Sequence, residues 1–164
     1  MRTTNRISKQ IPQAKDPSMT KEKYASLEKK LARLEASRPA AAAEVSRLAE
    51  LGDFSENVEY QLAKRKLRGI NNTILFVENE LRQAQIISPK KNATIVALGH
   101  TVSVETQGTQ KTYTILGSSE TNPTKGIISQ HSPIGSALLG KKIGEHITIT
   151  IAGRDVTYTV LSIS

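Results

Sequence analysis

The apolar positions of this chain keep two different periods. From Tyr24 they advance by three and four residues: Tyr24, Leu27, Leu31, Leu34, Arg38, Ala41, Val45 and Leu48. This is a heptad stripe with one charged exception, Arg38. A second stripe follows through Tyr60, Ala63, Leu67, Ile70, Ile74, Val77, Leu81 and Ala84. A short polar stretch joins them, so the pattern predicts an antiparallel coiled-coil hairpin over residues 19–87. Thr20 is the expected N-cap, with Lys23 where a capping box would place Glu. Thirty helical residues make a rod about 45 Å long. Pro39 falls inside the first stripe and removes an amide donor, which predicts a kink or split there. Gly69 weakens the second helix by about 1 kcal/mol.

After Ser88-Pro89 the period changes to two. Thr94–Leu98, Thr101–Glu105, Lys111–Leu116, Ile147–Ile151 and Val156–Ile163 are rich in β-branched residues and separated by glycines. Ala152-Gly153 predicts a tight hairpin turn. Ser132 and Pro133 predict the N-cap and first position of a short helix through Ile134–Leu139. The chain therefore reads as α+β. It comprises a mobile basic tail over 1–18, the helical hairpin, and a small, mostly antiparallel β domain with one short helix over 88–164.

Composition narrows the function. Aromatic residues make up only 4% of the 164 residues, which suits an elongated molecule. Cysteine is absent, so disulfides and thiolate metal sites are excluded, and a reducing cytoplasm is the expected setting. No apolar run approaches the roughly 20 residues of a membrane span, and residues 1–18 lack a signal-peptide core. The net charge of +8 is spread along the chain and favours an anionic partner.

The link between the two stripes carries the candidate chemistry. Asp53 and Glu56 lie three residues apart at the start of the second helix. That spacing fits a capping arrangement, with acids favoured at a helix N-terminus. Spacing alone favours that capping explanation over the other reading, two hard-oxygen ligands for Mg²⁺ completed by groups from another molecule. The two readings are compatible. Phe54, between the acids, reads as a contact residue or as a staple on Leu51, and Tyr60 as seam packing. Lys64, Arg65, Lys66 and Arg68 follow about 12 Å behind the link. They form either a solvated face or a rest for a phosphate backbone. His100, His131 and His146 have no ligand spacing and read as surface or loop residues. No nucleophile elbow, phosphate-binding glycine loop or zinc pattern occurs.

The segment Gly52-Asp-Phe-Ser-Glu-Asn-Val-Glu-Tyr60 resembles the G-D-x-x-E-N-x-E-Y signature of the bacterial Gre transcript-cleavage factors, the GreA/GreB family. Arg38-Pro39 resembles the Arg-Pro within that family's first helix, and Gln83-Ala84-Gln85-Ile86-Ile87 the end of its second. Ile128-Ser129-Gln130-His131-Ser132-Pro133-Ile134, with Leu139-Gly140-Lys141, is similar to its I-S-x-x-S-P-I…G-K stretch.

The resemblance implies an FKBP-like C-terminal domain that docks on RNA polymerase, with Ser132, Pro133 and Ile134 at the contact. It implies a hairpin that enters the polymerase secondary channel. There Asp53 and Glu56 would share a Mg²⁺ with the polymerase active centre and stimulate cleavage of backtracked RNA. Phe54, Ser55 and Asn57 would be tip contacts. Lys64 and Arg68 would face the nascent RNA 3′ end. The factor would be a cytoplasmic monomer and no enzyme by itself, activating the polymerase's own nuclease. The alternative is a related channel-binding regulator that induces no cleavage. Two departures stand out. Phe54-Ser55 stands between the two acids where some members carry Lys or another basic residue, and Ala49 stands where some carry an arginine, with Arg47 nearby on another face.

Overall fold

A computed structural model describes residues 16–51, 58–90 and 93–164. Its helical part is built from α1 (Lys21–Glu50) and α2 (Val58–Gln83), two long helices packed against each other. Apart from Arg38, every position of the two predicted stripes is buried or half-buried. Leu27 and Val77 are sealed at the base and Leu48 near the far end. The seam thus forms because residues three and four apart share one helix face.

Pro39 does not split α1, which runs unbroken for 30 residues. The proline ring and Glu35, whose carbonyl loses its amide partner, both sit on the exposed side. Water can take up that carbonyl, so the loss stays local. Thr20 caps α1 as expected, its hydroxyl accepting from the Lys23 amide at 3.1 Å.

The C-terminal part is a curled, mixed five-stranded sheet. β3 (Thr101–Thr106), β4 (Thr109–Leu116), β5 (Ile127–Ser129), β6 (His146–Ile151) and β7 (Arg154–Ile163) stand in the order β5-β4-β3-β7-β6. Two tight hairpins turn at Gln107-Gly108 and Ala152-Gly153, with both residues of each pair at positive φ. That is the geometry matching strand twist. α3 (Pro133–Leu138) covers the core of Val96, Val102, Val104, Ile115, Leu138, Ile147, Ile149, Tyr158 and Val160.

Several sequence expectations are corrected. Thr94–Leu98 is no strand. It makes one bridge, Ile95 to Lys142, and otherwise bonds the loop after α3 through the Val96 amide and carbonyl. β5 is an addition: three residues are too few to show a period, and its parallel pairing to β4 comes from the long connection. His100 is no surface residue; it is 1% exposed. Its Nδ1 accepts from the Ala97 amide, which leaves Nε2–H to donate to the Lys90 carbonyl, each at 3.0 Å. The tail expected over 1–18 gives way to built structure by Asp16. β1 (Ser18–Met19) pairs in parallel with β2 (Gln85–Ile86), the segment leaving α2. Residues 1–15 lie outside the described residues.

Candidate functional site

Two regions matter: the far end of the hairpin and its root on the sheet domain. At the far end, α1 is capped at Leu51, whose amide donates to the Leu48 carbonyl at 3.3 Å. Leu48 is buried, while Leu51 and Val58 on either side of the link are exposed. Asp53, Phe54, Ser55, Glu56 and Asn57 lie in the intervening 52–57 link, outside the described residues. The capping reading of Asp53 and Glu56 falls there too.

The flanks are described in full. Tyr60 is half-buried on the seam, with the Lys64 ammonium 5.6 Å from its ring centroid. Lys64 and Arg68, singled out from sequence, are brought together. With Gln61 and Arg65 they line a shallow depression of about 180 Å³. Arg65 therefore joins the predicted pair. Concave, basic and hydrogen-bonding, the depression can take an anionic oxygen.

Arg47 is committed elsewhere. Its Nε and one Nη donate to the two Glu44 carboxylate oxygens at 2.8 and 2.7 Å. Arg47's hydrogen bond holds the exposed Glu44 carboxyl below its usual range, with Lys66 adding to the effect, and Arg47 is raised by the same bond and by Glu59. Arg47 is thus paired along its own helix, with Glu44 three residues before it.

At the root, sequence reasoning missed the two residues that matter most. Glu120 lies in a 3₁₀ turn, Ser118–Glu120, on the sheet domain. Its carboxylate accepts the Thr20 amide at 2.7 Å and the Thr20 hydroxyl at 2.6 Å. The Asp16 side chain, 4% exposed, accepts from the Ser18 amide at 3.0 Å, the Ser118 amide at 3.1 Å and the Gln130 amide group at 2.9 Å. Burial pushes the Asp16 carboxyl up, but the hydrogen bonds from Gln130, Ser18 and Ser118 outweigh it and hold it below the ordinary range. No local spacing signals either contact, since the partners are about a hundred residues apart.

Ser132, Pro133 and Ile134 fall at the start of α3. The Ser132 hydroxyl donates to the Ser129 carbonyl at 2.7 Å and accepts from the Gly135 amide at 3.0 Å. Pro133 is exposed and Ile134 packs partly on the core. A Cβ on Gly135 would stand 2.1 Å from the Ser129 carbonyl oxygen, so this corner needs glycine. Among the described residues no three His, Asp or Glu side chains gather as a metal site, and no helix is long and apolar enough to cross a membrane.

Two family models cover nearly the whole chain: "Transcription elongation factor, N-terminal" over residues 18–86 and "Transcription elongation factor, GreA/GreB, C-term" over 90–164. The chain belongs to the GreA/GreB family of transcription elongation factors. The family's relatives include transcription elongation factor GreA of Nautilia profundicola, 40% identical over 89% of this chain and 92% of that protein. GreA of Oceanobacillus iheyensis is also 40% identical, over 88% and 94%. The solved structure of Thermus aquaticus Gfh1 is 25% identical, covers 92% of this chain and 99% of its own, and has a TM-score of 0.42.

Proposed function

We propose that this elongation factor acts on RNA polymerase by inserting its hairpin into the secondary channel and stimulating cleavage of backtracked RNA. The supporting observation is an acidic pair carried between the ends of two long helices, in a chain of the GreA/GreB family. Asp53 and Glu56 are hard carboxylate donors of the kind Mg²⁺ accepts. Two carboxylates fall short of an octahedral shell, so the polymerase, water and the RNA phosphate would supply the remaining ligands. Held by Asp53 and Glu56 with those groups, Mg²⁺ would supply activation of a water against the phosphodiester.

The protein's own tasks are to bring the ligands, hold the strand and dock. Phe54, Ser55 and Asn57 contact the channel around the acids. Lys64 and Arg68, with Arg65, steady the phosphates of the extruded 3′ end. Pro133 and Ile134 present the docking corner that Ser132 shapes. The polymerase performs the cleavage, and the factor works as a cytoplasmic monomer.

The test is a stalled, backtracked elongation complex incubated with the factor and Mg²⁺. Release of short 3′ RNA fragments by the wild type, but not by Asp53→Ala or Glu56→Ala, is the expected result. Slowed synthesis with uncut RNA would instead mark a channel-binding regulator.

A further inference from the structure

The hairpin joins the sheet domain covalently only through the segment after β2. A single covalent crossing does not by itself set the direction of a long rod. The direction must come from non-covalent contacts at the root, and these are specific. The amide and hydroxyl of Thr20, the residue that starts α1, are both held by the Glu120 carboxylate. Two short bonds to one planar group restrict rotation as well as separation, and charge assistance strengthens them. The same hydroxyl accepts from the Lys23 amide, so the grip passes directly into the helix. Beside it, the Gln85 amide donates to the Pro17 carbonyl at 2.9 Å and the Ile87 amide to the Met19 carbonyl at 2.8 Å, tying in the exit of α2.

We infer that Glu120 is a positioning residue: by capping α1 from the sheet domain, it sets the direction in which the hairpin points. Its functional consequence rests on the cleavage reading above. A helix of 30 residues is a lever of about 45 Å. A rotation of about 5° at the root displaces its far end by about 4 Å on that length. Metal–ligand distances tolerate only about 0.2 Å. Small errors at Thr20 therefore become large errors where Asp53 and Glu56 must act.

The test uses the whole chain, which lacks cysteine and so accepts two clean labels at Ser46→Cys and Thr157→Cys. Glu120→Ala should broaden the label-to-label distance distribution. It should lower cleavage at saturating factor by on the order of 10- to 100-fold, with little change in the half-saturating concentration. Glu120→Gln, which keeps an acceptor for the Thr20 amide, should restore much of both. Thr20→Ala added to Glu120→Ala should broaden the distances little further than Glu120→Ala alone, because both bonds to Glu120 are already gone. An unchanged distance distribution overturns the inference, as does a cleavage loss that extra factor fully restores. If the wild type releases no fragments, the cleavage reading fails and the distances decide alone. Broadening in Glu120→Ala then supports the inference, and an unchanged width overturns it.

Discussion

Thr20 and Glu120 complete a capping box between two domains. In a local box the third helical residue returns a carboxylate to the N-cap amide. Here that position is Lys23, and Glu120 supplies the carboxylate from a turn on the sheet domain. Helix initiation and domain orientation are thereby one set of hydrogen bonds.

Removing the cap should be visible in stability. Thr20→Val keeps the volume and loses the hydroxyl that serves both Lys23 and Glu120. A cost of about 1 to 2 kcal/mol is expected, read from urea denaturation midpoints. A change below a few tenths would show that the cap is dispensable.

Gly117 should resist even a methyl group. A Cβ there would stand 1.9 Å from the Ser18 carbonyl oxygen. Gly117→Ala should cost about 1 to 3 kcal/mol through overpacking. It should also speed hydrogen exchange at the Gln85 and Ile87 amides as β1 is pushed away. Unaltered exchange at both would contradict that coupling.

Asp16 makes root stability depend on pH. Its folded-state carboxyl is held below the ordinary range. Its contribution is therefore complete above that range and disappears as pH falls through the lowered value. Asp16→Ala should cost about 1 to 3 kcal/mol near neutrality. The difference from wild type should shrink steadily on acidification below the ordinary carboxylate range. A mutant deficit that is constant with pH would mean that the carboxylate charge is irrelevant. His131 Nε2 lies 3.5 Å from the same carboxylate on the solvent side, so a His131→Ala control separates its contribution.

The seam and the exposed face of the hairpin should respond differently. Leu48 is 2% exposed and Leu75 64%. Leu48→Ala should lose about 2 to 5 kcal/mol, while Leu75→Ala should stay within about 0.5 kcal/mol. Equal losses in thermal or urea unfolding would mean that the two-helix packing is not the source of hairpin stability.

Removing charge behind the link should weaken RNA engagement without abolishing chemistry. Lys64→Ala and Arg68→Ala should raise the factor concentration needed for cleavage. Each should reduce the salt slope by about 0.7 for every RNA phosphate that the side chain no longer neutralises. An unchanged salt slope would place the RNA elsewhere.

Most of the hairpin was legible before the structure, because a heptad is a local code. Seven of eight positions in the first stripe lie on the seam, and Arg38 is the exposed exception already visible in sequence. Four of the five predicted strands were found, and both turn residues of the last hairpin take positive φ. Thr94–Leu98 misled because β-branched residues fit any extended, half-buried segment, including one that bonds a loop. His100 misled because nothing in its neighbours announces the Lys90 carbonyl and Ala97 amide that satisfy its ring.

The sequence by itself determined the two long helices, the main strands, the caps at Thr20 and Ser132, and the family signature that spans Asp53 and Glu56. Each of these depends on residues within a turn or two of one another. Only the tertiary structure decided how the two parts are joined. Asp16 with Ser118 and Gln130, β1 with β2, and Thr20 with Glu120 are pairings across long stretches of chain. Their residue types are ordinary on a polar surface. They become specific only when folding brings donors and acceptors within about 3 Å, and no local period encodes that meeting.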